Sequence, residues 1–350
     1  MPRITIIGTT SWGKTLGIML ARNKQEVRMW ARTEQEAIEL SKAGPNPTLP
    51  PGVTFPSHLS VTSSMSDALD KAKAVILAVP SQTVRKNIKL VAPHLNDSIL
   101  VISAAKGLEI DTHKRMSEVI SEEIDPHFQH NICVLSGPNL SREVIRDLPA
   151  ASVIAAEDEA VAQKARQLLT TPNFCIYTNT DVIGVELGGA LKNIIALGAG
   201  MIEGLGYGDN AKAAFVTRGL TEMTALGVAL GSSPLTLSGL SGLGDVIATC
   251  ASSLSRNHYV GVELTKGRIL KEITATMTGI SEGASTVIAV WSLAQQLEME
   301  MPVTEKIYQI LYEGLDPRQI MIELLENGGK HELTGRKWKL TPFFQRTKQR

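Results

Sequence analysis

A single lysine, Lys192, sits in a stretch that is otherwise too apolar to welcome a charge, Asp181 to Gly219 (DVIGVELGGALKNIIALGAGMIEGLGYGDNAKAAFVTRG). If Asp181 caps a helix running to about Met201, the helical period puts Gly188, Gly189, Ile195, Ala196 and Ala199 around that lysine. Most of these are small, so the face offers a groove. Gly184 to Gly219 holds nine glycines, against roughly two or three at an average usage of about 7%. Glycine costs a helix about 1 kcal/mol per position, so the excess points to close approach of another body. An ammonium in such a groove can exchange a proton with a reacting oxygen. A surface lysine snorkelling out of a tight helix pair would read the same way from this stretch alone.

A second constellation lies in Leu237 to Asn257 (LSGLSGLGDVIATCASSLSRN), where Gly239, Gly242 and Gly244 lead to Asp245. Asp245 reads as the N-cap of a helix beginning at Val246, and Thr249, four residues on, can face the same groove. Ser255-Arg256-Asn257 closes the segment with a bidentate anion donor between two polar residues; the alternative reading is a plain polar helix end.

These groups need elements to position them. Arg3 to Ile7 (RITII) is a buried strand that meets Gly8-Thr9-Thr10-Ser11-Trp12-Gly13, after which Lys14 to Asn23 has helical composition. Strand, glycine turn and helix N-terminus together make a phosphate cradle. Gly8 and Gly13 hold the first and last glycine places of a dinucleotide fingerprint, and Thr10 stands in the middle one. Glu26 to Trp30 reads as the second strand. About 20 residues past the loop an NAD site would carry an acid; here the chain has Ala31-Arg32. An arginine suits a 2′-phosphate, so NADP is expected to be accepted as well as NAD, although a solvated surface arginine fits the text equally.

The proline-dense Pro45 to Pro56 is a loop. Ala74 to Val79 and Ile99 to Ser103 read as the third and fourth strands, and the latter runs into Ala104-Ala105-Lys106-Gly107. Ligands of parallel sheets sit at the carboxyl ends of strands, so Lys106 lies where a phosphate or carboxylate would bind. Asp111 to Glu123 reads as an amphipathic helix. Ile132 to Leu135 is a fifth strand ending in the turn Ser136-Gly137-Pro138-Asn139. Ala151 to Ala155 and Phe174 to Tyr177 flank a helix at Glu157 to Leu169. From Asp181 onward no strand is evident. The expected fold is therefore α/β, an N-terminal doubly wound Rossmann-like sheet (1–180) followed by an all-α domain (181–326). A basic peripheral tail (327–350) closes the chain.

Composition sets limits. The chain has 350 residues, 43% of them apolar and 20% charged, and 35 Lys plus Arg balance 35 Asp plus Glu. No overall field draws it to nucleic acid or to a membrane surface. Three separated cysteines, Cys133, Cys175 and Cys250, read as buried reduced thiols of a cytosolic protein. The seven histidines show no metal-ligand spacing, so no metal is expected. Glu186 and Lys192 interrupt the longest apolar stretch, and no bilayer span is expected.

The pieces ELGGALKN, GLGYGDNAKAA, TRG, GLSGLGD and SRN, together with SGPN, Glu143, SAAKG, SWG and Glu282-Gly283, resemble NAD(P)-dependent glycerol-3-phosphate dehydrogenase of the bacterial type. The resemblance runs to about residue 325. Departures are Thr9-Thr10 in place of Ala-Gly, Pro50-Pro51, and the tail. It implies interconversion of sn-glycerol 3-phosphate and dihydroxyacetone phosphate, a supply of glycerol 3-phosphate for phospholipid synthesis, a cytoplasmic location and a homodimer. It implies Lys192 as proton donor and acceptor, with Asn193, Asp245 and Thr249 around it. Lys106, Ser255, Arg256 and Asn257, assisted by Gly137 and Asn139, would hold the phosphorylated substrate. Ser11, Trp12, Arg32, Lys106, Ser141, Arg256, Ile280 and Glu282 match cofactor-contacting positions, beside the cradle of Gly8, Thr10 and Gly13. Two other readings stay open on the residues. One is a related two-domain reductase of a non-phosphorylated hydroxy acid, for which Arg256 and Lys106 would have no use. The other is a dinucleotide-sensing protein without turnover.

Overall fold

Short β-branched and aliphatic runs separated by helices give a sheet covered on both faces. The computed structural model describes residues 2–42, 49–277 and 279–326. Its strands are β1 (Arg3–Ile7), β2 (Glu26–Trp30), β3 (Leu59–Thr62), β4 (Ala72–Leu77), β5 (Leu100–Ser103), β6 (Ile132–Ser136), β7 (Ala150–Ala155) and β8 (Phe174–Asn179). They form one sheet in the order β3-β2-β1-β4-β5-β6-β7-β8, parallel except where β6 meets β7. The order reverses between β1 and β4, the switch point at which doubly wound sheets open a ligand crevice. Side chains alternate across the sheet: Ile4, Ile6 and Ile76 enter one core, and Ile7, Val75 and Leu77 the other.

The sheet's helices are α1 (Ser11–Arg22), α2 (Glu34–Ser41), α3 (Met65–Leu69), α4 (Val84–Val91), α5 (Met116–Glu123), α6 (Ser141–Val144) and α7 (Glu159–Leu169). Then come α8 (Val182–Gly204), α9 (Gly208–Ala229), α10 (Pro234–Leu237), α11 (Asp245–Ala251), α12 (Arg256–Leu264), α13 (Leu270–Thr276), α14 (Glu282–Gln296), α15 (Pro302–Tyr308) and α16 (Pro317–Glu326). No strand occurs among the described residues after Asn179.

Asp181 caps α8 as expected, its Oδ1 accepting from Gly184 N at 2.8 Å. The helix runs past Met201 to Gly204 and is wrapped by α9, α11, α12 and α14. It is long and apolar enough to cross a membrane, but 89% of that window is buried inside the protein, which makes it the central core helix. Leu187, Leu191, Ile195 and Leu197 are buried on it, each worth about 1.5–3 kcal/mol. Its glycines serve close approach: a Cβ on Gly200 would stand 2.1 Å from His258 O, so α12 could not pack there against alanine.

Several boundaries differ from the sequence reading. The strand β3 was not expected; it has four residues, too few to show a period. The strand read from Ala74 begins at Ala72 and is the fourth. The helix read from Asp111 begins at Met116, because Glu109 to Arg115 forms a tight turn, with His113 left-handed (φ 58°) and Glu109 N donating to Lys114 O. Asp245 is the first residue of α11, not its cap, which frees the carboxylate for other partners. Cys133 and Cys250 are buried, but Cys175 is exposed on β8. Positions 45–48 of the proline-rich loop and the basic tail lie outside the described residues.

Candidate active site

The carboxyl ends of β1, β2, β4, β5 and β6 present five turns along one edge of the sheet. In the first, Gly8 adopts φ +116°, and a Cβ there would lie 2.7 Å from Ala78 O; a Cβ on Gly13 would lie 2.1 Å from Gly8 O. Both positions therefore need glycine to keep strand and helix in contact. Thr10 has no such need. It sits at φ −65°, caps α1 by accepting from Gly13 N at 3.1 Å, and donates to Ala78 O at 2.7 Å. The middle place of the fingerprint is thus filled by a capping residue, and the N-terminus of α1, with its free N–H groups, remains able to face an anion. Gly13→Ala is expected to destabilise the protein by about 1–3 kcal/mol through overpacking and to weaken nucleotide binding. A thermal melt and a binding titration check this; wild-type values in both would contradict it.

Lys106 follows β5, and Lys192 projects from the middle of α8. Both reach Asp245 of α11: Lys106 Nζ stands 2.5 Å from Oδ2 and Lys192 Nζ 3.0 Å from Oδ1. Lys192 also donates to Thr249 Oγ1 at 2.7 Å, and that hydroxyl donates to Asp245 Oδ1 at 3.1 Å. Lys106 donates further to Gly137 O at 2.8 Å, which ties the β6 turn to the cluster. Gly189 makes room for this: a Cβ there would meet Ser136 Oγ at 2.3 Å and the Lys106 stem at 3.5 Å. The groups are largely enclosed, with side-chain exposures of 16% for Lys106, 11% for Lys192 and 2% for Asp245.

A second cation on the shared carboxylate adds to what burial does to Lys106. Burial pushes the Lys106 ammonium down to about 8, against the pull of Asp245 and with help from Lys192. Burial would raise Asp245, but Lys106 and Lys192 together hold it below the ordinary carboxylate value, so it stays ionised.

The other expected residues are anchored by partners outside this cluster. Asn193 Oδ1 accepts from Asn257 Nδ2 at 2.8 Å, and Asn257 Oδ1 accepts from Ser281 Oγ at 2.5 Å and Gly283 N at 3.0 Å. Asn193 therefore braces Asn257 while Lys192, one residue earlier, faces the cluster. Ser255 caps α12, accepting from His258 N, and puts Arg256 in the first turn with an exposed side chain. A Cβ on Gly279 would touch the Arg256 guanidinium at 2.5 Å, so the 279–281 turn lies against it, and Ile280 in that turn is 50% exposed. Asn139 Nδ2 donates to Ser152 Oγ at 2.9 Å, whereas Asn139 Oδ1 and Ser136 Oγ are buried without a partner. Trp12 packs edge-on against Phe174, and the Ser141 carbonyl accepts from Thr15 Oγ1 at 3.3 Å. Arg32, after β2, is 79% exposed.

Two carboxylates, Glu282 half-buried and Glu186 buried, tie the helical domain to the sheet domain. Glu282 accepts from Ser81 N at 3.1 Å and Ser81 Oγ at 2.5 Å. Burial raises the Glu282 carboxyl above its usual range, opposed by Ser81 and Arg256. Glu186, six residues before Lys192, accepts from Ser117 N (2.8 Å), Ser117 Oγ (2.5 Å) and Arg115 Nη1 (2.8 Å). Ser81 and Ser117 escaped the sequence reading. For Ser81 a signal existed, since it follows Pro80 at the carboxyl end of β4; Ser117 carried none. Among the described residues no group of three or more metal-ligating side chains forms.

Comparison with known proteins decides the family. Residues 3–162 match the family model described as NAD-dependent glycerol-3-phosphate dehydrogenase N-terminus, and residues 181–322 match that of its C-terminus. The chain belongs to this family. It is 56% identical to a glycerol-3-phosphate dehydrogenase [NAD(P)+] of Dehalococcoides mccartyi, covering 100% of this chain and 98% of the relative. A Geobacter relative of the same name is 41% identical over 94% of this chain and 98% of its own length. The crystal structure of glycerol-3-phosphate dehydrogenase from Coxiella burnetii superposes with a TM-score of 0.87 at 35% identity, covering 93% of this chain and 99% of that one. Within this family, the clustered Lys106, Lys192 and Asp245 lie where the match to the N-terminal model and the match to the C-terminal model come together in space.

Proposed function

We propose that the chain interconverts sn-glycerol 3-phosphate and dihydroxyacetone phosphate with NAD or NADP, and that Lys192 carries the alcohol proton. One observation supports this most directly. Asp245 holds Lys192 and Lys106 side by side at the carboxyl edge of a doubly wound sheet. That edge is where such sheets bind a nucleotide, and a phosphorylated ketone needs both an acid for its oxygen and a cation for its phosphate beside it.

The residues fit a nicotinamide dinucleotide. Gly8 and Gly13 let β1 and α1 close on each other, which sets the N-terminus of α1 at the sheet edge, and the partnerless Asn139 Oδ1 and Ser136 Oγ suit an amide's hydrogen-bonding groups. The α1 N-terminus with Ser11 and Trp12, then Arg32, Lys106, Ser141, Arg256, Ile280 and Glu282, are the residues we assign to hold it. When bound, the cofactor supplies or accepts the hydride. In the reductive direction Lys192 stabilises negative charge developing on the carbonyl oxygen and gives it a proton; in the oxidative direction it takes that proton back. Thr249 and Asp245 aim its ammonium. Lys106, Arg256 and the first-turn backbone of α12 at Asn257, whose side-chain amide is taken up by Asn193, Ser281 and Gly283, hold the substrate's phosphate end, with Gly137, Asn139 and Ser255 shaping the walls. Residues 1–180 then serve as the nucleotide half and 181–326 as the substrate half. On the resemblance alone we place the enzyme in the cytoplasm as a homodimer that supplies phospholipid synthesis.

NADPH or NADH oxidation with dihydroxyacetone phosphate tests the activity. Turnover only with non-phosphorylated 2-keto acids would favour the hydroxy-acid reductase instead. Arg256→Ala is expected to raise KM for dihydroxyacetone phosphate by roughly 10- to 100-fold, since a charged hydrogen bond is worth about 1.5–3 kcal/mol. An unchanged KM would remove Arg256 from the phosphate site. The titration of Lys106 gives a further expectation. Its ammonium is present below about 8 and lost above it, so KM for the phosphorylated ketone should climb between about pH 7 and about pH 9. A KM flat across that range would contradict the role of Lys106.

A further inference from the structure

Glu36 is a carboxylate that the assignment above leaves unused. It lies on α2, yet its oxygens close on the turns after β1 and β2. Oε1 accepts from Thr9 Oγ1 at 2.6 Å, Oε2 accepts from Arg32 N at 3.1 Å, and Arg32 Nε stands 3.8 Å from Oε2. The Lys14 ammonium, buried in α1, is within its electrostatic reach. Glu36 is also the third residue of α2, whose cap Thr33 accepts from Glu36 N at 3.1 Å. In a capping box that glutamate would reach back to the cap's own N–H. Here it bypasses Thr33 and takes the hydroxyl of Thr9 and the N–H of Arg32, so helix capping does not account for where its charge is held.

In a doubly wound nucleotide site these two turns flank the adenosine ribose. A carboxylate there accepts hydrogen bonds from the ribose hydroxyls, and an arginine accommodates a 2′-phosphate. This chain carries both groups in contact. A 2′-phosphate facing Arg32 would meet the like charge of Glu36, which is how a site discriminates against a ligand. Resting on the assignment of Arg32 to the 2′-phosphate, we infer that Glu36 sets the cofactor choice. Its carboxylate serves the ribose diol of NAD and occupies Arg32 against the 2′-phosphate of NADP.

The test is the binding of NAD+ and NADP+ to the purified full-length protein by isothermal titration calorimetry. Glu36→Gln keeps the shape and a hydrogen-bond acceptor while removing the charge. The ratio Kd(NAD+)/Kd(NADP+) is expected to rise roughly tenfold in that variant, the size of one charged hydrogen bond. Arg32→Ala should instead raise Kd for NADP+ and leave NAD+ nearly unchanged. A merely structural Glu36 would weaken both nucleotides alike and leave the ratio at its wild-type value. An unchanged ratio in Glu36→Gln, with Arg32→Ala still impairing NADP+, overturns the role of Glu36 alone. If neither variant changes the ratio, the Arg32 assignment falls with it. If only Glu36→Gln shifts the ratio, Glu36 is the discriminating charge and Arg32 is not the phosphate contact.

Discussion

Lys192→Ala is expected to lose turnover by roughly 10³-fold or more, because a positioned general acid–base alone contributes about 10²- to 10⁴-fold. The loss should fall on kcat and on kcat/KM together, since the proton is transferred only on the way through the transition state. Nucleotide binding should survive, because the phosphate cradle of Gly8 and Gly13 lies on β1 and α1, packed against Ala78. The fold should survive too. Alanine is at home in a helix already lined by Ala190, Ala196 and Ala199, and removal of the ammonium relieves Lys106 of a buried like charge. Stopped-flow or steady-state NADPH oxidation, beside a melt and a nucleotide titration, separates these effects. A variant that melts like wild type, binds nucleotide and turns over normally would rule out Lys192.

Asp245→Asn should have the second-largest effect, and of a different kind. Asparagine keeps the shape, but its amide places two N–H donors where two ammonium groups expect an anion. Lys106 and Lys192 would then face each other in a nearly closed site with no counter-charge. Removing one partner of a buried ion pair costs about 3–5 kcal/mol, so both stability and kcat should fall. The pH dependence gives a sharper sign. Asp245 is what pulls the Lys106 ammonium up against burial and Lys192. Without it Lys106 should lose its proton below about 8, and the rise of KM with pH should begin at lower pH than in wild type. Unchanged melting together with an unmoved pH profile would show that Asp245 does not bridge the two lysines in solution.

Much of the centre was legible in the sequence because its residues contradict their surroundings. Lys192 stands out in an apolar helix, Asp245 follows a run of glycines, and Lys106 and Gly137 follow the ends of strands. Those signals are local in sequence. What stayed hidden depends on residues that meet only in three dimensions. Ser81 and Glu282 are 201 positions apart, and Ser117 and Glu186 are 69 apart. Neither pair leaves a periodic trace. Thr10 takes the middle glycine place of the fingerprint, yet its backbone conformation requires no glycine, and its hydroxyl caps the helix that a glycine would leave uncapped. Propensity alone makes Asp245 a cap; tertiary pairing with two lysines overrides it. The helix α5 starts later than its composition suggests, because nothing in Asp111 to Arg115 announces the left-handed His113 that breaks the pattern. The sheet order beyond β6, with β7 turned antiparallel, likewise follows from packing that composition does not encode.

The most direct test of the proton's route is chemical rescue. Methylammonium titrated into Lys192→Ala, with NADPH and dihydroxyacetone phosphate saturating, should restore a saturable part of the lost rate by standing where the lysine's own ammonium stood. Full-speed turnover of Lys192→Ala with no amine added would contradict the account.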